Sequence, residues 1–337
     1  MRVFQIEGDW GMHNLKISQR SEPTAGPGQV LVRMKSSSLN YRDLVVPERG
    51  YGSYTGNLPL IPISDGVGTV CEVGPGVSRV AVGDRVCPTF FQNWIGGDPD
   101  LERLTQSLGG PIDGTMTEFM CLTEQGVVKV PSYLTDAEAA SLPCAALTAW
   151  SALTTSGTVK SGDRVLIQGC GGVALFAVQF AKLLGAHVTV ITSSEARMAG
   201  VRQLGADAVL NYCAVPEWAK ATRDFTLGRG YDLIVELGGE KTLPQSLRCI
   251  RPGGTIAMIG VLSGGAMATS LGLIITRQVR LQGVTVGHRD GFEAMIRSIE
   301  LHKVRPIVDR VFDFDELKEA MAYLKSGAQF GKVCIAH

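Results

Sequence analysis

The rhythm of apolar and polar positions changes near residue 146. Before it, short stretches alternate at every second position. Gln29-Val-Leu-Val-Arg-Met-Lys35 reads as a half-buried strand. Gly66-Val-Gly-Thr-Val-Cys-Glu-Val-Gly74 is another, closed by a Pro75-Gly76 turn, and Gly83-Asp84-Arg85-Val86-Cys87 follows a further turn. A compact β-rich unit fits residues 1–145. Gln92 to Gly114 is polar, Gly-rich and weakly periodic, and is expected to be a long surface excursion.

From about 146 apolar runs alternate with helical patterns. Strands are expected at Arg164 to Gly169, His187 to Thr192, Ala208 to Tyr212, Tyr231 to Leu237, Thr255 to Ile259 and Leu281 to Gly287. Helices are expected at Gly172 to Leu184 and Glu195 to Leu204. Such alternation builds a parallel sheet covered on both faces, so 146–287 reads as a doubly wound α/β domain. Two further helices, Phe292 to His302 and Asp315 to Ser326, and a last strand from Phe330 to Ile335 are expected to return to the first unit, which 288–337 completes.

Composition narrows the function. The 337 residues are 45% hydrophobic and 19% charged with a formal net charge of zero, an ordinary globular balance that offers no basic surface for nucleic acid or an anionic membrane. The start, Met1-Arg2-Val3-Phe4-Gln5, has no secretory apolar core, and the apolar stretch Val173 to Leu184 carries Gln179 and Lys182 and is too short to span a bilayer. A cytoplasmic protein is expected. No pair among the eight cysteines has CxxC spacing, so neither a zinc knuckle nor a disulfide framework is expected.

The candidate chemistry begins where the first strand of the second unit ends. Gly169, Gly171 and Ala174 fit the GxGxxG/A spacing between a strand and a helix. The first glycine permits the turn, the second lets backbone approach phosphates, and the small third residue lets helix pack on strand. Helix N-terminal amides near Gly172 and Val173 would face a dinucleotide pyrophosphate. The bland alternative is a Gly-rich turn without a ligand. After the next strand stand Ser193 and Ser194, with Arg197 three residues on, where an NAD site carries a carboxylate for the ribose 2′-hydroxyl. Hydroxyls and a guanidinium suit a 2′-phosphate, so NADPH is the expected cofactor. Ser193 as a helix N-cap is compatible with that role, and Glu195 would offset Arg197 in part.

With these residues in view, the chain resembles the medium-chain dehydrogenase/reductase superfamily, in its zinc-free quinone oxidoreductase-like branch. The likeness is carried by Leu39-Asn40-Tyr41-Arg42-Asp43, Gly66-Val-Gly-Thr-Val, Gly83-Asp-Arg-Val, Ala146-Leu-Thr-Ala-Trp150, Gly169 to Lys182, Gly185-Ala186 and Gly205-Ala206-Asp207. It continues through Arg251-Pro-Gly-Gly254, Val286-Gly287 and Phe330-Gly-Lys-Val333. It implies a GroES-like β-rich catalytic domain beside a Rossmann domain. In zinc-dependent relatives a Cys stands at the place of Asn40 and a His-Glu pair at that of Ser64-Asp65, and only the Cys matching Cys144 is kept, so no metal is expected. A catalytic zinc takes about three protein ligands. The four cysteines of a structural zinc lobe are also missing from the 92–113 excursion.

The resemblance assigns further roles. Asn40 and Tyr41 would face the nicotinamide end, and Thr148 the nicotinamide ribose or carboxamide. Tyr212 would lie by the adenosine phosphate. Leu237, Gly238 and Gly239 would line adenine and ribose, while Gly260, Val261 and Leu262 would flank the nicotinamide. Lys332 would contact the pyrophosphate unless it is an ordinary surface lysine, and a homodimer is implied through the Leu281 to Gly287 strand.

Without zinc, alcohol oxidation lacks its main electrophile, whereas hydride donation to a conjugated acceptor remains feasible. The expected reaction is hydride transfer from NADPH to a quinone or an enone. Asn40 and Tyr51 are the candidate donors to the developing oxyanion, and Tyr51 or water the proton source. Arg42 and Asp43 read as a structural polar pair. Two alternatives stand: a zinc-free enoyl-thioester reductase, and a non-catalytic NADPH-binding protein.

Overall fold

The computed structural model describes residues 1–266 and 271–337. The chain divides into two compact units, Met1–Leu147 with Val286–His337, and Thr148–Thr285.

The second unit carries a six-stranded parallel sheet. Its order, edge to edge, is Ala208–Asn211, His187–Thr192, Arg164–Gln168, Tyr231–Glu236, Ile250–Met258 and Arg280–Gly283. In chain order that is 3-2-1-4-5-6, the doubly wound arrangement expected from the alternating pattern. The strand order reverses between Arg164–Gln168 and Tyr231–Glu236, and in such sheets ligands bind beyond the carboxyl ends at that point. Leu166, Ile234 and Ile256 are fully buried in the sheet, and Leu243, Leu247 and Trp218 from the helices Leu243–Cys249 and Trp218–Asp224 close over them. The last strand is shorter than expected and ends at Gly283, and Val286 beyond it, at φ 53°, is outside the extended region.

In the first unit a mixed sheet runs Val308–Asp313, Lys332–Ala336, Gln29–Ser38, Asp65–Val73, Arg85–Pro88, Val127–Lys129, with Phe119–Thr123 also paired to Gln29–Ser38. Alternation in Gln29–Ser38 buries Val30, Val32 and Met34. The 92–114 segment departs from the expected surface excursion. Its stretch Leu101–Leu104 is an exposed helical turn capped by Asp100, whose carboxylate accepts from Arg103 N, but Ser107–Gly110 is buried. The cause is Arg42: its guanidinium donates to Leu108 O at 2.9 Å and Gly110 O at 3.0 Å, drawing that backbone inward. Among the described residues no helix is long and apolar enough to cross a membrane.

Candidate functional site

Two sets of residues emerge, one in each unit. In the second, Gly169 follows the strand Arg164–Gln168 at φ 80°, a conformation that favours glycine. Gly171 has φ −81° and is the N-cap of the helix Gly172–Leu183. A Cβ built at either glycine meets no protein atom within 4 Å. A side chain at Gly171 is thus excluded neither by backbone nor by neighbours, and it would stand at the N-terminal end of the helix Gly172–Leu183. Ala174 is fully buried against the sheet, as the spacing predicts. These features fit a dinucleotide pyrophosphate.

The strand ends on both sides of the topological switch are tied by two residues that sequence reasoning missed, Gln168 and Glu236. Glu236 is 1% exposed, and its carboxylate accepts from Gln168 Nε2 at 2.6 Å, Ser246 Oγ at 2.5 Å, Gly238 N and Gly239 N at 3.1 Å each, and Thr242 Oγ1. Gln168 Oε1 accepts from Leu237 N and Gly238 N, both at 3.1 Å. A buried carboxylate without such donors would be strongly destabilising. Here it sets the shape of the Leu237-Gly238-Gly239 turn. The available signal was an amide and a charged side chain ending the apolar runs Val165–Ile167 and Leu233–Val235.

The remaining residues expected around the cofactor lie as follows. Ser193 is exposed, and Ser194 rather than Ser193 is the N-cap of Glu195–Gln203, without a capping bond from its hydroxyl. Arg197 is half-buried on the first turn of that helix. Tyr212 is half-buried against the Leu210 and Trp218 cluster. Thr148 is 3% exposed, at the start of the helix Leu147–Leu153. Gly260 is held close, since a Cβ there would meet Leu237 O at 2.2 Å, and Val261 and Leu262 beyond it are exposed.

In the first unit, strand register brings distant residues together. Ser38 pairs with Cys334 on one side and Asp65 on the other. One residue further, Leu39 N donates to Val333 O, which sets Lys332 against Asn40. Lys332 is 3% exposed, and its Nζ donates to Leu39 O and to Asn40 Oδ1, both at 2.6 Å. It is therefore not the ordinary surface lysine of the alternative reading, and its ammonium is turned inward onto these acceptors. Asp65 is fully buried. Its carboxylate accepts from Ser64 Oγ at 2.7 Å and Cys144 N at 3.0 Å. Burial raises its pKa, while the Lys332 ammonium, Ser64, Asn40 and the Cys144 amide pull it back. Ile63, just before this pair, holds φ 72°, a strained value for a β-branched residue, supported by Thr115 N donating to Ile63 O at 2.8 Å.

Asn40 is fixed from two directions. Its backbone N–H donates to Asp43 Oδ2 at 2.7 Å, and its Oδ1 faces Lys332. Its Nδ2 is buried and makes no hydrogen bond of good geometry, although the amide is near enough to Asp65 to favour that carboxylate's charged form. Asp43 is fully buried and pushed up to about 6 by burial, with Arg42, 3.8 Å away, opposing. Arg42 also lies over the Phe90 ring, so the pair is structural as expected. Tyr41 is exposed at the N-cap of the short helix Arg42–Val45. Tyr51 is 45% exposed, in the turn before Gly52–Thr55, and burial of its hydroxyl raises its pKa. Arg42, Asp43, Cys144 and Tyr41 are its charged or titratable neighbours. Cys144 sits half-buried in the π-turn Leu142–Ala146, its thiol pushed up by burial and then by Asp65. Among the described residues, no three His, Cys, Asp or Glu side chains gather to hold a metal ion.

Known families match these two units in order. Residues 26–132 match the alcohol dehydrogenase GroES-like domain, and residues 172–300 match the zinc-binding dehydrogenase family. The chain is 41% identical over 332 residues to a zinc-type alcohol dehydrogenase-like protein of Schizosaccharomyces pombe, covering 96% of each. A putative alcohol dehydrogenase from Sinorhizobium meliloti 1021 superposes with TM-score 0.93 at 38% identity, covering 100% of this chain and 98% of the other. An NAD-dependent alcohol dehydrogenase gives TM-score 0.91 at 31% identity, with 100% of both chains covered. The chain belongs to the medium-chain dehydrogenase/reductase superfamily, whose members are pyridine-nucleotide-dependent oxidoreductases. Its architecture is a Rossmann domain with a GroES-like domain.

Proposed function

We propose that this chain is an NADPH-dependent oxidoreductase that reduces a quinone, or the carbon–carbon double bond of an α,β-unsaturated carbonyl, without zinc. The observation that carries the reading is the buried Lys332–Asn40–Asp65 cluster. Zinc would need about three ligands there. The donor set of Asn40, Ser64, Asp65 and Cys144 holds one thiol and one carboxylate and no imidazole, and the Lys332 ammonium already lies among them. The zinc-type names belong to relatives, and these residues do not fit the ion.

The nucleotide fits the second unit. Gly169, Gly171, Gly172 and Val173 would hold the pyrophosphate, and Ser193, Ser194 and Arg197 the 2′-phosphate. Tyr212, Leu237, Gly238 and Gly239 would line the adenosine, with Thr148, Gly260, Val261 and Leu262 by the nicotinamide. When bound, the reduced nicotinamide supplies a hydride. Asn40 Nδ2 and the Tyr51 hydroxyl donate to the acceptor's oxygen as negative charge develops on it. A tyrosine hydroxyl carries its proton at neutral pH, and the upward shift that burial causes leaves Tyr51 so; it can donate a hydrogen bond or the proton, which solvent restores. For an enone, hydride reaches the β-carbon and a proton the α-carbon; for a quinone, hydride and proton together give the hydroquinone. We further infer that two copies associate through the Arg280–Gly283 strand.

The test is NADPH oxidation by the metal-free protein, dialysed against a chelator, with 9,10-phenanthrenequinone and a series of enones. Retained turnover on at least one acceptor is expected. Activity that disappears on chelation and returns with Zn²⁺ would overturn the reading.

A further inference from the structure

We propose that Lys332 is a positioning residue for the reaction: its ammonium grips Asn40 Oδ1 and thereby aims and polarises Asn40 Nδ2 as the donor to the acceptor's oxygen. The inference rests on the zinc-free reading above and deepens it, since it names the source of the positive charge that the reaction draws on.

The argument begins with the amide's two ends. An ammonium has only donors, so it accepts one orientation of a carboxamide, with Oδ1 towards it. The 2.6 Å contact from Lys332 Nζ to Asn40 Oδ1 therefore fixes which atom points the other way. The backbone on either side is equally constrained: Leu39 O takes a second ammonium proton at 2.6 Å, and Asp43 holds Asn40 N–H at 2.7 Å. Nδ2 is left as a buried donor without a well-formed bond. Buried donors are rarely left so, and such groups call for an explanation. Asp65 accepts from Ser64 Oγ and Cys144 N and balances the lysine's charge, and the Asn40 amide, on its Nδ2 side, also favours that carboxylate's charged form without a well-formed bond.

The energetics favour a relay over a direct contact. A hydrogen bond to a charged partner is roughly twice as strong as a neutral one, and chains of bonds polarise one another at low dielectric. The ammonium withdraws electron density through the carboxamide, so the Nδ2 protons become more acidic. A fixed dipole of this kind needs no reorganisation as charge develops on the acceptor. The lysine thus acts through the asparagine and need not touch substrate.

The experiment is a double-mutant cycle on Asn40→Ala and Lys332→Met. Because removing Lys332 alone leaves Asp65 buried without its countercharge, Lys332→Met/Asp65→Asn is prepared as a second form that keeps the cluster neutral. We expect kcat to fall ten- to a hundred-fold in Lys332→Met, with the NADPH dissociation constant changed less than threefold. The loss is larger on weakly activated enones than on quinones, and Asn40→Ala/Lys332→Met is no worse than Asn40→Ala alone. Binding of 4-nitrophenolate, whose oxygen resembles the developing oxyanion, is followed by its absorbance and should weaken in parallel in both single variants. This second measurement needs no turnover. If the parent reduces no quinone or enone, the functional reading fails, and the phenolate series alone decides the relay. Additive losses, unchanged phenolate binding, or a defect confined to NADPH affinity overturns it; the last result would make Lys332 a phosphate contact.

Discussion

At the scale of single residues, charge placement makes the sharpest predictions. Arg197 is the cationic side chain that follows Ser193 and Ser194 on the expected 2′-phosphate side. Replacing it by alanine is expected to weaken NADPH by tenfold or more and to leave NADH nearly unchanged, measured by quenching of tryptophan fluorescence. Equal effects on both nucleotides would remove it from the phosphate site. Asp43 predicts a pH dependence. Its carboxyl, 3.8 when free, is pushed up to about 6 by burial, so the folded chain binds this proton more tightly than the unfolded one. Stability from this group is complete below about pH 4 and is lost as pH rises towards 6. The effect is about 3 kcal/mol at most, at about 1.4 kcal/mol per tenfold in proton affinity. The thermal midpoint of Asp43→Asn minus that of the parent should therefore grow between pH 4 and 7. Parallel profiles would show that folding leaves the Asp43 carboxyl's proton affinity unchanged. His337 works in the opposite sense. Burial lowers it to about 4, its Nδ1 lies 3.1 Å from Thr117 O, and the stability of its neutral form is lost as pH falls from about 6.5.

At the scale of elements, the turn from strand to helix separates folding from binding. Gly169 needs its φ of 80°, so alanine there is expected to cost about 1–2 kcal/mol of stability whatever the ligand. Gly171 does not: its backbone suits any residue, and an added Cβ touches no protein atom within 4 Å. Gly171→Val should unfold within about 0.5 kcal/mol of the parent, as neutral surface changes do. Its affinity for NADPH should nonetheless fall tenfold or more by calorimetric titration. Undiminished affinity would put the pyrophosphate elsewhere. Much of this element was legible in sequence, because a tight turn and a helix start depend on neighbours a few residues apart. The Glu236 network was not, since its partners lie in the neighbouring strand Arg164–Gln168, the turn at Gly238 to Thr242 and the helix Leu243–Cys249, brought together only by the sheet.

At the scale of the whole molecule, each unit follows its hydrophobic period, and the differences arise where packing overrode it. Ser107–Gly110 was read as surface from its polarity and glycines, but the Arg42 guanidinium holds its carbonyls inside. Among the described residues, Arg280–Gly283 pairs on one side only, and all four of its residues are exposed, leaving a free sheet edge. Sedimentation is expected to give a dimer at micromolar concentration, and Leu281→Arg a monomer that still binds NADPH. A parent that sediments as a monomer would refute edge pairing.

The order of strands and helices, the glycine turn and the absence of histidine at the positions matching zinc ligands were all written in the sequence, because each depends on local pattern or residue type. The meaning of Lys332 was not. It lies 292 residues from Asn40, and a lysine in a Gly-Lys-Val segment has the same composition whether it faces phosphate or the interior. Only the pairing of Gln29–Ser38 with strands on both flanks turns the ammonium inward, into the company of a carboxamide and a carboxylate.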